Sequence, residues 1–175
     1  MIEVILRAVR VDIGSATPLL LLEERDGPRA LMIFVGAPEA ASISYALQGL
    51  VTERPMTHDL VLDIIRALGA ELQCVVVSDM IDGTYHAELR LEINGEVRTV
   101  SSRPSDAIAI ALRSGAKVFV ADDVMSEHGR EVEFDVNDED DDVADVELGD
   151  DISESDLLAQ MRDFLDDVNP EDFLG

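Results

Sequence analysis

Two short turn sequences, Asp82-Gly83 and Asn94-Gly95, constrain the fold of this chain more than any other feature. Each dipeptide favours the tight turn of a β-hairpin, because both turn residues must adopt a positive φ. Between the two turns, residues 84–93 alternate between apolar and polar side chains, which indicates a strand with one buried face. The sequence therefore predicts three consecutive hairpin-linked strands, at residues 71–78, 84–93 and 96–101.

A similar group of segments precedes these strands. Strand-like runs cover residues 2–13, 18–24 and 29–35, and two stretches with apolar residues at helical spacing follow them. The first helix is expected to start near Pro38. The second is expected to start at Thr57, a good N-cap residue, and to bury one apolar side. The residues expected on that side are Leu60, Ile64, Ile65 and Leu68.

The order of these elements suggests an internal duplication. A shift of 67 residues pairs Glu39 with Asp106, Ala40 with Ala107, and both copies place a carboxylate at the start of an apolar helix that follows a strand. The alternative is that both carboxylates only serve to start their helices, since acidic groups favour the positive end of the helix dipole. The residues leave both interpretations open.

Residues 103–113 combine a polar loop with the start of a third helix. Pro104 suits a first helical turn because its φ is preset and its missing amide would have no partner there. Asp106 can accept hydrogen bonds from the unpaired amides of that turn. Arg103 adds an opposite charge, so the segment is compatible with an active site, although many ordinary helices begin in the same way. The alternative is an Arg103–Asp106 ion pair that only stabilises its own loop.

The charge of the chain is unevenly distributed. Residues 131–175 contain 19 acidic residues and one basic residue, whereas residues 1–130 contain 19 acidic and 12 basic residues. A body with this balance does not bind nucleic acid through general electrostatic attraction, which depends on many lysines and arginines. Any contact with a polyanion must therefore use a local arginine cluster or a bridging metal ion.

Composition also bears on the compartment. No stretch approaches the roughly 18 uninterrupted apolar residues of a membrane span, and the amino terminus lacks the order of a signal peptide. The single cysteine, Cys74, lies in an apolar run and supports no disulfide framework. The sequence therefore predicts a cytoplasmic protein without membrane association.

Three regions are expected along the chain: a domain at residues 1–130, an acidic disordered linker at 131–152, and a short amphipathic helix with a terminal peptide at 153–175. The linker prediction follows from its run of like charges, which repel one another. The helix prediction follows from apolar residues at helical spacing after Ser153. Such a helix docks either on its own domain or on a protein partner.

Four motifs in order, at residues 35–40, 54–60, 82–87 and 103–108, resemble those of the bacterial and plant bifunctional nuclease domain family. The resemblance covers roughly residues 2–127. It implies an α+β fold, with a barrel-like mixed sheet, packed helices and two β3α2 repeats. It also implies cleavage of both RNA and DNA, and self-association into a homo-oligomer.

Phosphodiester hydrolysis needs an activated water and stabilisation of charge on the phosphate oxygens, which carboxylates, a divalent metal, histidine and arginine can supply. The residue types at the matching motifs suggest a site with Mg²⁺ or Mn²⁺ as cofactor. The expected catalytic residues are Glu39, His58, Asp59 and Asp106, and the expected substrate-binding residues are Arg54, Arg103 and Ser105. The alternative for residues 57–59 is an ordinary helix start.

One position departs from the family pattern, because Ser101 stands where many relatives have an aspartate. The sequence is therefore compatible with two functions of different classes. The first is a metal-assisted nuclease of low sequence specificity. The second is a non-catalytic regulatory or scaffold protein that binds a protein partner through its acidic tail.

Overall fold

The computed structural model describes residues 1–12, 15 and 17–132. The chain divides into two units, Met1–Asp141 and Asp142–Gly175, and all of the described residues belong to the first. They form eight strands and four helices. In chain order these are β1 (Ile2–Asp12), β2 (Thr17–Glu24), β3 (Arg29–Phe34), α1 (Ala37–Leu47), α2 (Thr57–Ala67), β4 (Ala70–Ile81), β5 (Thr84–Ile93), β6 (Glu96–Ser102), α3 (Pro104–Ser114), β7 (Lys117–Val120), α4 (Asp122–His128) and β8 (Arg130–Glu131).

All eight strands form one mixed sheet in the order β6-β5-β4-β7-β1-β2-β3-β8. The β4–β7 pair is parallel and the other neighbouring pairs are antiparallel. The α+β class is therefore confirmed. The sheet is not closed, however, which corrects the expectation of a barrel-like sheet. Closure would require β6 to pair with β8, and β8 offers only two residues for such a ladder.

Both predicted hairpin turns are confirmed by their backbone. Asp82 and Gly83 have φ values of 49° and 77°, and Asn94 and Gly95 have values of 53° and 83°. Positive φ at both central residues is what a two-residue hairpin turn requires. On β5 the alternating residues are buried as the pattern predicts: Ala87, Leu89 and Leu91.

Helix α3 lies at the centre of a single aliphatic core. Every residue from Ala107 to Ala111 is buried, and Ile108 is fully inaccessible to solvent. Helices α1 and α2 both contact α3, which also contacts β4, β5 and β7. The helix is buried more widely than one amphipathic stripe would require. This central helix fixes the positions of α1 and α2 relative to each other.

Helix α2 differs from the prediction at its start and in its buried face. Met56, not Thr57, is the N-cap residue, and its amide donates to the Asp59 carboxylate at 3.0 Å. Leu62 and Ile65 are buried in the core. Three of the four residues expected to be buried are instead exposed, namely Leu60, Ile64 and Leu68. The helix is apolar on more than one side, so its periodicity did not specify which side would meet α3 and β4.

Several predictions made from the sequence are not tested by the described residues. The tail at 133–175 and Ile13, at the predicted end of the first strand, lie outside the described residues. The β3α2 duplication and the three-part division of the chain stay predictions. The sequence had not predicted α4, which starts after Ala121 and packs Val124 and Met125 into the core.

Candidate functional site

Three helices each carry a carboxylate at their third residue: Glu39 in α1, Asp59 in α2 and Asp106 in α3. Each acidic group lies in the first turn of its helix, at the positive end of the helix dipole. Because α3 contacts both other helices, its side chains can link the three helix starts. Side-chain hydrogen bonds join the starts of all three helices into one network.

The Arg103 guanidinium bridges two of these carboxylates. Its Nε and Nη2 atoms donate to Asp106 Oδ2 and Oδ1 at 2.7 and 2.9 Å, and its Nη1 atom donates to Glu39 Oε1 at 2.9 Å. These hydrogen bonds from Arg103 lower the pKa of Asp106, an effect that burial opposes and a hydrogen bond from His58 reinforces. The Arg103 side chain is nevertheless 64% exposed. Asp106 is therefore held ionised beside a guanidinium that solvent can reach.

His58 lies between α1 and α3. Its Nε2 atom is 3.2 Å from Asp106 Oδ1, and its Nδ1 atom is 2.9 Å from the Ser42 hydroxyl oxygen. The histidine side chain is 15% exposed. Both ring nitrogens are thus engaged by the protein, one by a carboxylate and one by a hydroxyl group.

Arg113, in the last turn of α3, links Asp59 to Ser42 on the other side of the cluster. Its Nε atom donates to Asp59 Oδ1 at 2.8 Å, and its Nη2 atom donates to the Ser42 carbonyl and hydroxyl oxygens at 3.1 and 3.3 Å. A fourth hydrogen bond runs from Nη1 to the Ala109 carbonyl at 3.0 Å. The Arg113 side chain is only 9% exposed. This arginine therefore serves as an internal anchor rather than a group that meets a ligand.

The structure brings together five of the residues singled out from the sequence, and the other two, Arg54 and Ser105, take no part in the hydrogen bonds of that cluster. Glu39, His58, Asp59, Arg103 and Asp106 belong to one hydrogen-bonded cluster. Arg54 is exposed on the segment between α1 and α2, and no described residue pairs with its side chain. Ser105 is 7% exposed. The roles assigned to all of these residues stay predictions.

Ser42 and Arg113 were missed by sequence reasoning. A weak signal was present, because Ser42 follows Glu39 by three residues and Arg113 follows Asp106 by seven. Residues separated by three or by seven positions lie on the same side of a helix. A search along the helix face from each carboxylate would have found both. Neither residue, however, belongs to the motifs that carry the family resemblance.

Gly36 makes room for the Glu39 side chain. A Cβ atom at residue 36 would lie 2.4 Å from Glu39 Oε2, which is closer than real Cβ contacts. The backbone of Gly36 is extended, with φ of −72°, so its conformation alone does not require glycine. A larger residue at this position would require the Glu39 carboxylate to move from its place over the start of its own helix.

The residues as arranged do not fit a divalent metal. Two of the carboxylates, Glu39 and Asp106, share the Arg103 guanidinium, which puts a positive group where a cation would bind. Within residues 1–12, 15 and 17–132, no three or more His, Cys, Asp and Glu side chains are grouped to hold a metal ion. The Mg²⁺ or Mn²⁺ cofactor stays a prediction.

Comparisons with known proteins show which family this chain resembles. The family model of the bifunctional nuclease domain matches residues 20–133. Two proteins of Mycobacterium tuberculosis, from strains CDC 1551 / Oshkosh and ATCC 25618 / H37Rv, are each 39% identical over 171 residues, or 98% of this chain and 97% of theirs; both are named only as uncharacterized. Bifunctional nuclease 2 of Oryza sativa subsp. japonica is 32% identical over 104 residues, or 57% of this chain and 32% of its own. In the described part of the chain, no helix is long and apolar enough to cross a membrane.

Proposed function

Since this chain belongs to the bifunctional nuclease domain family, we propose that it is a nuclease that hydrolyses phosphodiester bonds in RNA and DNA with little sequence preference. One observation carries the proposal: an exposed guanidinium is held by two carboxylates where helix starts converge. A similarity to a protein named as a bifunctional nuclease supports it.

Arg103 is the group best placed to bind a phosphate. Arginine has five N–H donors, and three of those of Arg103 are used in hydrogen bonds to Asp106 and Glu39. The remaining two N–H groups belong to a side chain that solvent reaches. A planar guanidinium with two donors suits the paired oxygens of a phosphodiester. Arg103 would stabilise the negative charge that develops on those oxygens during hydrolysis.

The two carboxylates bound to Arg103 are the groups best placed to orient the attacking water. Asp106 Oδ2 accepts only the Arg103 Nε hydrogen bond, and Glu39 Oε2 accepts none from the described residues. A carboxylate oxygen can accept more than one hydrogen bond. Asp59 is a weaker candidate, because the arginine that binds it, Arg113, is only 9% exposed and does not present a phosphate-binding group beside it. Glu39 and Asp106 would therefore hold the water beside the phosphate.

The proposal is tested with the purified full-length protein and labelled single-stranded RNA and DNA. We expect cleavage of both substrates, and we expect Asp106→Ala to lower the rate by about a hundredfold, the scale of loss when a group that assists proton transfer is removed. The matched control is Asp63→Ala, because Asp63 is an exposed carboxylate on α2 that pairs, among the described residues, with Arg66 alone. Equal rates for wild type and Asp106→Ala would point to a contaminating nuclease.

The same assay tests the metal prediction. Reactions in Mg²⁺, in Mn²⁺ and in excess chelator separate a metal-dependent reaction from one that the protein's own side chains carry out. Absence of cleavage under all three conditions would contradict the proposed function. In that case the non-catalytic alternative, a protein-binding module that uses its acidic tail, would be favoured. The mycobacterial relatives align over nearly the whole chain, beyond the part that the family model covers, which is the observation behind that alternative.

A further inference from the structure

We propose that Ser42 and Arg113 are positioning residues that fix His58 as a hydrogen-bond donor to Asp106. The part of this proposal that concerns hydrolysis rests on the proposed function. In that reaction His58 holds the Asp106 carboxylate in place and does not accept the proton of the attacking water. The proposal rests on which groups donate and which accept in the hydrogen bonds of His58.

The charge of Asp106 determines which group donates the hydrogen bond between His58 and Asp106. Hydrogen bonds from Arg103 lower the pKa of Asp106, so the carboxylate is ionised at neutral pH and can only accept hydrogen bonds. The contact of 3.2 Å between Asp106 Oδ1 and His58 Nε2 therefore requires the hydrogen to be on Nε2. In a neutral imidazole the other nitrogen, Nδ1, is then an acceptor.

The contact with Arg113 determines which group donates the hydrogen bond between Ser42 and His58. A guanidinium can only donate, so the contact of 3.3 Å from Arg113 Nη2 makes the Ser42 hydroxyl oxygen an acceptor. The hydroxyl hydrogen remains available for His58 Nδ1, which lies 2.9 Å away. Donation thus runs in one direction, from Arg113 to Ser42, from Ser42 to His58 and from His58 to Asp106.

Burial reinforces this assignment. Ser42 is 6% exposed and the Arg113 side chain is 9% exposed, so water does not readily replace either partner. A protonated His58 would donate from Nδ1 to the Ser42 oxygen, which would then receive two donors and lose the acceptor of its own hydrogen. Leaving a buried polar group without a partner is costly. The neutral ring with hydrogen on Nε2 satisfies every group.

This assignment leaves His58 without an available lone pair. Its Nδ1 lone pair is engaged by Ser42, and its Nε2 atom carries the hydrogen bonded to Asp106. Ser42 is equally unsuited to act as a nucleophile, although serine, histidine and aspartate are linked in order. Its hydroxyl group is buried in α1 and is also bound by Arg113. The trio positions Asp106 and does not form a covalent-catalysis triad.

The first test is nitrogen NMR of the full-length protein with ¹⁵N-labelled histidine. The chain has only three histidines, so the His58 signals can be assigned from their loss in His58→Gln. We expect an Nε2-bound hydrogen and a hydrogen-bonded, unprotonated Nδ1 in the wild type. Ser42→Ala should shift the Nδ1 signal, whereas Ser44→Ala, a serine on the same helix outside the cluster, should not. A hydrogen on Nδ1 in the wild type, or an unchanged Nδ1 signal in Ser42→Ala, would overturn the proposal.

The second test separates a positioning role from proton transfer. Glutamine places an amide N–H as many bonds from Cβ as histidine places Nε2–H, so it can donate to Asp106 but cannot act as a base. We expect His58→Ala to lower the cleavage rate about tenfold or more and His58→Gln to recover most of that loss. If His58 accepts the proton, both variants should lose about 10²- to 10⁴-fold. An inactive wild type would refute the proposed function, while the NMR result would still decide the hydrogen-bond assignment.

Discussion

Arg103 is the residue whose environment most directly controls the charge of the site. It makes hydrogen bonds to both Glu39 and Asp106, yet its side chain is largely exposed. Exposed ion pairs contribute little to stability, commonly about 0–1 kcal/mol. We therefore expect the main effect of Arg103 to be on the ionisation of Asp106 and on phosphate binding, and only a small effect on folding.

Arg103→Ala should raise the pKa of Asp106 toward the ordinary aspartate value of about 4, because the largest stabilising interaction of the ionised form is removed. The measurement is a carbon NMR titration of the Asp106 carboxyl group. In the wild type the folded-state pKa lies below the unfolded value, so this group stabilises the fold above about pH 4 and that contribution is lost as the pH falls through the folded pKa. The variant should show a smaller loss over this range. Arg98→Ala, which removes an exposed arginine paired with Glu96, is the control.

At the scale of elements, α2 shows why an apolar pattern does not by itself identify a core face. The adjacent residues Ile64 and Ile65 are chemically identical, but Ile64 is 50% exposed and Ile65 is 9% exposed. Ile65 points into the aliphatic core that α3 and the sheet share, whereas Ile64 continues an exposed row between Leu60 and Leu68.

The two isoleucines give a matched test of this orientation. Ile65→Ala should lower the free energy of unfolding by about 2–5 kcal/mol, because a buried side chain is replaced by a cavity. Ile64→Ala should change it by only about 0.5 kcal/mol, as is usual for a surface site away from special contacts. Urea unfolding of the two variants measures the difference. Similar losses for both would show that the face of α2 is assigned wrongly.

At the scale of the whole molecule, the separation of charge is the dominant feature. Residues 133–175 contain 18 acidic residues and one basic residue, which accounts for most of the net charge of −25. Under the proposed function, this polyanionic segment would compete with the nucleic-acid substrate for arginines and repel it at long range. Both effects weaken with salt, since the screening length falls from about 10 Å at 0.1 M to about 3 Å at 1 M.

Truncation after Val132 should therefore raise the rate of nucleic-acid cleavage several-fold at low salt and have little effect near 1 M salt. The chain should end after Val132 because the Val132 amide donates to the Pro28 carbonyl, and β8 pairs with β3 just before it. Rates measured across a salt series for the full-length and truncated proteins provide the test. Equal rates at every salt concentration would show that the tail does not regulate cleavage.

Prediction from sequence succeeded where the structure depends on neighbouring residues. The two hairpin turns have the positive φ values that Asp-Gly and Asn-Gly favour, and α3 starts at Pro104 as expected. Prediction was less successful for closure of the sheet, for the N-cap and buried face of α2, and for α4. Each of these depends on packing against another element, which the local sequence does not encode.

The sequence by itself determined most strands of the sheet, the two hairpin turns and the carboxylate at each helix start, because backbone preferences and dipole interactions act over a few residues. Only the tertiary structure decided that those helix starts form one site. The contact between Ser42 and His58 spans 16 residues, that between His58 and Asp106 spans 48, and that between Arg113 and Ser42 spans 71. Such contacts exist only because α1 and α2 pack on the buried α3. The residues were visible in the sequence, but their hydrogen bonds depend on how the helices pack.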